Sequence, residues 1–164
     1  MLMKKPVFVA AVIVVLVLSG LATAPQIKAA SKTIVVPDDY PLIQDAIDSA
    51  ADGDTIFVRS GVYYETLVID KSLTLIGEDR EHTVIDAHKI TKDVVHITEN
   101  GVTFTNFTLG HTGYIYSSGS TEPSGIHLEA SYNHITNNII VSVHGPAFKI
   151  GWNPAQKILS VIIL

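Results

Sequence analysis

The sequence predicts an all-β protein, a parallel β-helix in which short strands stack coil upon coil around one core. The main observation is an internal repeat: positions 94–109 reappear thirty-one residues later as positions 125–140. A third copy begins at Ala147, twenty-two residues after the second, so the first interval contains an insertion. The repeated segments are short and rich in β-branched residues, which is typical of a solenoid whose repeats share one continuous core.

The first thirty residues have the pattern of a secretory signal peptide. Lys4 and Lys5 precede the apolar run Val7–Leu18, and small residues follow it. A basic end, an apolar run of this length and a small-residue exit are the three parts of such a signal. The sequence therefore predicts a signal peptide at 1–30, either cleaved or retained as a short membrane anchor, and a β-helix domain at 31–164.

The charge balance of the domain excludes several classes of function. It contains all sixteen acidic residues of the chain but only eight of the eleven basic ones, which makes it a poor nucleic-acid binder. The sequence has no cysteine, so disulfides and thiol chemistry are absent. We therefore expect a secreted, periplasmic or cell-surface domain with no nucleic-acid partner and no cofactor, which meets a membrane only if its signal is retained.

The domain begins with a predicted N-terminal cap at 33–53. A strand at Thr33–Val36 precedes apolar residues at helical spacing over Leu42–Ala50, and Asp38 or Asp39 is placed to cap the start of that helix. An amphipathic helix suits this position, because an open stack of coils exposes an apolar end that needs a cover.

The coils are predicted at 54–157, where brief runs of β-branched residues alternate with turn residues. The first runs are Thr55–Val58, Leu67–Ile69, Leu73–Ile76 and Thr83–Ile85. In the later copies, the alternation of apolar and polar residues decides which side chains face inward. The two inward columns are Val95, Ile126 and Phe148, and Ile97, Leu128 and Ile150. The residues between them, His96, His127 and Lys149, are predicted to point outward.

The bends between strands carry a second repeated feature. Asn106 and Asn137 occupy equivalent bends, where an Asn tolerates an unusual backbone angle and bonds its counterpart in the next coil. Asn106 also begins a glycosylation sequon, but the stacked bend is the favoured interpretation. The insertion His111–Ser124 is rich in Gly, Ser and Tyr and is predicted to project as a loop.

The C-terminal end departs from the repeat. At an offset of twenty-two residues Lys157 falls on the core position of Ile135, and the chain ends on an apolar run, 158–164, with no polar cap. We expect a final strand with an uncapped apolar edge that stacks on further repeats or on another chain. This is the pattern of a fragment, or of a shifted reading frame, of a longer solenoid.

Several segments carry a resemblance to known proteins. In the early coils they are Thr33–Pro37, Ile43–Ile47, Gly53–Ile56, Gly61–Glu65 and Lys71–Gly77. These are similar to the opening of right-handed parallel β-helix proteins of the pectin lyase-like class, which pectin methylesterases share. The later repeats, Gly125–Leu128 and Asn133–Ile139, resemble those of the periplasmic copper-protein accessory family known as NosD. The resemblance extends over positions 33–150 and implies a right-handed coil, but it lies in cap, core and turn residues and so implies no activity.

The catalytic residues that the resemblance implies are not found in the sequence. Pectin methylesterases would need two Asp residues with a Gln and an Arg on a central coil, whereas the only arginines are Arg59 and Arg80, in the early coils. Pectate lyases imply an acidic calcium cluster, and polygalacturonases imply three Asp residues with a His–Gly pair, of which only His144–Gly145 is present. The sequence therefore favours a protein without catalytic residues.

His96 and His127 are the candidate metal ligands. Stacked coils place equivalent side chains about 4.8 Å apart, and two imidazoles at that spacing can share a metal. Lys149 occupies the next position and no carboxylate repeats in the column, so an ordinary solvent-facing column is the favoured interpretation. Four carboxylates lack a recognisable calcium-binding spacing: Asp70, Asp86, Asp93 and Glu129.

We define a ligand face by six residues: His96, His127, Lys149, Tyr114, Tyr116 and Trp152. Tyr and Trp stack on sugar rings, although both are also common as half-buried loop anchors. The prediction is a non-catalytic secreted or cell-surface module that binds carbohydrate or takes part in envelope assembly. Two alternatives stay open: a polysaccharide-active esterase or lyase of the pectin type, and a NosD-like copper accessory protein.

Overall fold

The computed structural model describes residues 30–88, 90–113, 122–141 and 143–151, with the backbone of a last strand at 158–163. Apart from Ala30, the predicted signal peptide lies outside these residues. None of the described residues belongs to a helix with the length and hydropathy of a membrane span.

Short strands and one short helix make up the described part of the chain. In chain order they are β1 (Thr33–Val36), α1 (Ile43–Ser49), β2 (Thr55–Val58), β3 (Gly61–Tyr63), β4 (Leu67–Ile69), β5 (Thr74–Gly77), β6 (Thr83–Asp86), β7 (Val95–Ile97), β8 (Thr103–Thr105), β9 (Thr108–Gly110), β10 (Ile126–Leu128), β11 (Asn133–Val141), β12 (Phe148–Ile150) and β13 (Ile158–Ile163). All the pairings between these strands are parallel.

The strands stack into three sheets that run along the axis of the coil. Sheet A contains β1, β2, β5, β8, the first part of β11, and β13. Sheet B contains β3, β6, β9 and the second part of β11, and sheet C contains β4, β7, β10 and β12. Because successive strands from β2 to β12 belong to sheets A, B and C in turn, the chain forms the predicted parallel β-helix.

The register of the sheets confirms the predicted inward columns. In sheet C, Ile126 pairs with Val95 on one side and with Phe148 on the other. Ile150 is in register with Leu128 but is 52% exposed. The reason is that β12 has a sheet C neighbour on one side only among the described strands. The matching column of sheet A is fully buried: Ile56, Leu75, Phe104 and Ile135.

Both ends of α1 are capped by side chains of the following coil. The Glu65 carboxylate accepts hydrogen bonds from the backbone N–H groups of Ile43 and Gln44, each at 3.0 Å. At the other end, the Lys71 ammonium donates to three carbonyl oxygens at 2.6 to 3.0 Å. The charges suit the helix dipole, with the carboxylate at the N-terminus and the ammonium at the C-terminus.

The prediction that Asp38 or Asp39 caps α1 is wrong. The helix starts at Ile43 and its first flanking residue makes no side-chain cap. Asp38 instead forms an ion pair with Arg59 at 2.7 Å, and Asp39 accepts a hydrogen bond from the backbone of Val35 at 2.7 Å. Both aspartates are therefore engaged in the turn that follows β1.

Asparagine side chains join successive coils at the bends, as predicted. Asn106 and Asn137 adopt left-handed backbone angles, with φ of 67° and 54°, and the Asn137 amide donates to the side-chain oxygen of Asn106. Two fully buried asparagines, Asn133 and Asn138, were not predicted. Their side-chain oxygens accept backbone N–H groups of the preceding coil at 2.7 and 3.0 Å.

The backbone of β13 continues sheet A, which confirms the predicted final strand. Val161 lies opposite Ile135, so the offset is larger than the basic repeat, and Lys157 lies outside the described residues. The register along this pair shifts at two points. In the insertion, residues 114–121 lie outside the described part of the chain.

We expect Glu65→Ala to lower the free energy of unfolding by about 1–2 kcal/mol, because two N–H groups at the start of α1 lose their acceptor. Urea denaturation measures the change. Glu81→Ala is the control, since its carboxylate lies on the surface, 3.8 Å from Arg80, and it should cost less than about 0.5 kcal/mol. Equal losses in the two variants would contradict the capping role of Glu65.

Asp54 should make the stability of the fold depend on pH. Hydrogen bonds from the backbone N–H groups of Lys32 and Ala51, both 2.9 Å, lower the pKa of its carboxyl below the ordinary 3.8. A pKa that is lower in the folded chain stabilises it above about pH 4, and this is lost as the pH falls through the folded-state value. The difference in unfolding free energy between wild type and Asp54→Asn should therefore shrink in acid. A difference that grows below about pH 4 would refute this.

Candidate functional site

The outward row of sheet C carries the chemistry-bearing side chains of the predicted site. At the centre of its four strands, in order along the axis, the residues are Val68, His96, His127 and Lys149. None of them is an Asp, a Gln or an Arg. The catalytic pattern implied by the pectin methylesterase resemblance is therefore not found on this row.

His96 and His127 form a stacked pair. Their ring centroids are 4.6 Å apart and the ring planes differ by 7°. This separation is close to the spacing of neighbouring strands in a sheet, so the pairing of β7 with β10 in register produces the stack. The sequence predicted this placement, because the two histidines occupy the same position of the repeat.

Glu129 brings a carboxylate to the same point. It lies two residues after His127, and alternation along the chain puts it on the same face. One oxygen of Glu129 is 3.4 Å from Nε2 of His96, and the other is 3.3 Å from Nε2 of His127. One ligand atom from each of the three side chains lies within 4.8 Å of the other two. The three therefore form a compact cluster of nitrogen and oxygen donors.

Asp93 holds the opposite edge of the His127 ring. One of its oxygens is 3.0 Å from Nδ1 of His127, and the other accepts the N–H and the hydroxyl of Ser124 at 2.6 and 2.7 Å. Burial raises the pKa of the Asp93 carboxyl, but the bonds from Ser124, with Lys149 and His127 nearby, outweigh it and lower that pKa below 3.8. An ionised Asp93 is an acceptor for an N–H group at Nδ1 of His127, and this contact orients the ring with Nε2 toward Glu129.

A cleft of about 290 Å³ opens beside this row, between β4 and the segments that precede β7 and β10. Its lining combines hydroxyl, ammonium and carboxylate groups with one exposed apolar side chain, Val68, which is 47% exposed. Its polar lining residues include Thr66, Thr91, Lys92, Glu122 and Lys149. His96 and Asp93 also line the cleft, so the cleft and the histidine pair are neighbours.

The structure places half of the predicted ligand face on one row. His96, His127 and Lys149 occupy consecutive strands of sheet C. The three aromatic members lie outside the described residues: Tyr114, Tyr116 and Trp152. The assignment of these six residues to a ligand therefore stays a prediction.

The carboxylates considered for calcium separate into two groups. Asp93 and Glu129 converge on His127, whereas Asp86 contacts His111 at 2.8 Å and Asp70 is exposed after β4. Sequence reasoning missed Glu129 as a partner of the histidines because it considered only carboxylates at the same repeat position. The signal that would have identified it is the spacing His-x-Glu, which puts both side chains on one face of an extended segment.

Comparison with known proteins identifies relatives over much of the chain, although no family model matches it. A cell surface glycoprotein of Methanothermus fervidus is 32% identical over 92% of the chain and 22% of its own length. A pectinesterase of Petunia integrifolia is 33% identical over 56% of the chain and 27% of its own length. The chain thus spans about a quarter of the length of these curated relatives.

A solved structure matches the coil. The crystal structure of pectin methylesterase in complex with hexasaccharide VII has a TM-score of 0.58 and 18% identity, over 75% of this chain and 46% of that one. The chain has a pectin methylesterase-like, right-handed parallel β-helix fold. This confirms the predicted resemblance to that class, while the similarity to NosD stays a prediction. At this identity the match shows the fold and not the activity.

We expect Asp93→Ala to lower the free energy of unfolding by about 1–3 kcal/mol, because Ser124 and His127 lose a charged acceptor. Urea denaturation at neutral pH measures the change. Asp70→Ala is the control. Asp70 is exposed directly after β4, and its replacement should lower the free energy of unfolding by less than about 0.5 kcal/mol. If Asp93→Ala lowers the free energy of unfolding no more than the control does, the contacts of Asp93 with Ser124 and His127 do not stabilise the fold.

Proposed function

We propose that the chain is a non-catalytic, extracellular or cell-surface β-helix module that binds oligosaccharide in the cleft beside sheet C. The observation that carries this proposal is the lining of the cleft, where hydroxyl and charged groups surround the exposed side chain of Val68. A sugar ring has the complementary character, with an apolar face and a rim of hydroxyl groups. The open, polar cleft suits a chain of such rings better than a compact apolar ligand.

Several groups in the cleft are suited to hydroxyl recognition. Thr66 and Thr91 both donate and accept hydrogen bonds, Lys92 donates and Glu122 accepts. Lys149 is directed toward Asp93, with 3.8 Å between its Nζ and the nearer oxygen. Positive and negative groups are thus both present in the cleft, which favours neutral or partly charged sugars over a highly charged polymer.

The names of the relatives support a surface role. One relative is a cell surface glycoprotein, another is a pectinesterase, and the matching structure was solved with a hexasaccharide. Together with the predicted signal peptide at 1–30, these names favour a secreted or envelope-associated protein over an intracellular one. The rigid coil provides a flat face on which neighbouring strands can contact successive sugars.

The pectin esterase or lyase alternative is the competing outcome. The pectinesterase relative supports it, but the outward row of sheet C lacks the Asp, Gln and Arg that the resemblance implies. The copper-accessory alternative depends on a metal site, which is a separate question from sugar binding. We therefore propose that the chain binds oligosaccharide without cleaving or de-esterifying it.

Oligosaccharide binding should depend on Val68. We expect the full chain to bind members of a glycan array that includes pectin oligosaccharides, and Val68→Glu to weaken that binding at least tenfold in calorimetry. Val62→Glu is a matched control, because Val62 is 53% exposed at the centre of β3, in the same coil but on sheet B, and this variant should bind as wild type does.

Three results would overturn the proposal. The first is the absence of binding to any glycan on the array, and the second is equal binding by wild type and Val68→Glu. The third is turnover: release of methanol or of unsaturated products from pectin would replace the binding module with an enzyme. Circular dichroism of both valine variants checks that the coil is intact.

A further inference from the structure

We infer that His96, His127 and Glu129 form a binding site for one divalent transition-metal ion of the zinc and copper type. The site lies beside the proposed oligosaccharide cleft and shares His96 with its lining, but metal binding at these side chains does not depend on a bound sugar. Four observations support it: the distances between the ligand atoms, the Asp93 carboxylate behind the His127 ring, the buried Nε2 of His96 that makes no hydrogen bond, and the local charge.

The distances within the cluster suit a shared metal ion better than direct hydrogen bonds. At metal–ligand distances of about 2.0–2.1 Å, neighbouring ligand atoms of a tetrahedral site lie about 3.3–3.4 Å apart. The two nitrogen–oxygen distances to Glu129 are 3.4 Å for His96 and 3.3 Å for His127. A charge-assisted hydrogen bond would be shorter, about 2.7–2.9 Å.

The carboxylates around the His127 ring favour a cation at this point. An oxygen of Asp93 lies 3.0 Å from Nδ1 of His127, and an oxygen of Glu129 lies 3.3 Å from Nε2 at the other edge of the ring. A divalent cation beside Nε2 is attracted by both carboxylates. A carboxylate behind the ring is also the usual outer support of a metal-binding histidine, since it fixes the tautomer and the ring orientation.

His96 contributes a second nitrogen without a partner. Its Nε2 atom is buried and makes no hydrogen bond within the described part of the chain. A buried polar atom without a partner costs free energy, and metal coordination would recover that cost. The stack with His127 already brings the two rings side by side, with their ligand atoms within 4.8 Å of each other.

The local charge and donor set define the class of ion. Glu129 and Asp93 supply two negative groups, and the ammonium of Lys149 lies 3.8 Å from Asp93. Two imidazoles with one carboxylate suit zinc, copper, nickel or iron, whereas calcium and magnesium prefer all-oxygen sites. Three protein ligands leave a fourth position for water or a further ligand.

Metal binding by the full, untagged chain tests the inference. We expect zinc, titrated against a chromophoric chelator and by calorimetry, to bind at one ion per chain. His96→Gln and Glu129→Gln should each weaken that binding at least tenfold. His134→Gln is the matched control, because His134 is an exposed histidine on sheet A, next to β8, and it should bind zinc as wild type does. Copper should bind more tightly than zinc at the same residues.

X-ray absorption of the zinc-loaded chain provides a second readout, which should show two imidazole nitrogens at about 2.0–2.1 Å. Glu129 is 46% exposed, so Glu129→Gln should fold normally and remove only the ligand charge. Failure to bind zinc at micromolar concentration, or zinc binding that is unchanged in His96→Gln and Glu129→Gln, would overturn the inference. No glycan is present, so the result is separate from the test of oligosaccharide binding.

Discussion

The parallel register between successive coils is the constraint on which the rest of the structure depends. Backbone groups of one strand bond to the equivalent strand of the next coil, so a given position of the repeat always meets itself one coil later. A slip by one residue would move every buried side chain to the surface. The same rule that keeps Leu67, Val95 and Ile126 in one buried column places His96 against His127.

Side chains satisfy the backbone where the strands are interrupted. Asn133 and Asn138 are fully buried in β11 and bond to the preceding coil, and Glu65 and Lys71 bond to the two ends of α1. Each of these contacts joins residues of neighbouring coils that are twenty-one or more positions apart. In this solenoid without disulfides, these side chains thus pair buried backbone groups through contacts between coils.

The repeat made the fold and the stacking of His96 on His127 predictable. The alternation of apolar and polar residues and the period of the repeat together decide which side chains share an inward or an outward column. The rest of the site was not predictable in the same way. Glu129 lies after its strand, and Asp93 reaches His127 from thirty-four residues away across a segment without a period. The prediction of the cap of α1 was wrong for a related reason. The rule for N-terminal caps considers only residues next to the helix, such as Asp38, whereas the observed cap, Glu65, comes from the next coil.

The dependence of α1 on the coil that follows it sets an order for assembly. A helix of seven residues is too short to persist by itself in water, and its end groups are paired only once Glu65 and Lys71 are in place. A chain that stopped before Lys71 would therefore leave the last carbonyl groups of α1 without their ammonium partner. The cap and the coil after it are thus one cooperative unit, in which neither end of the helix is paired until the segment up to Lys71 is folded.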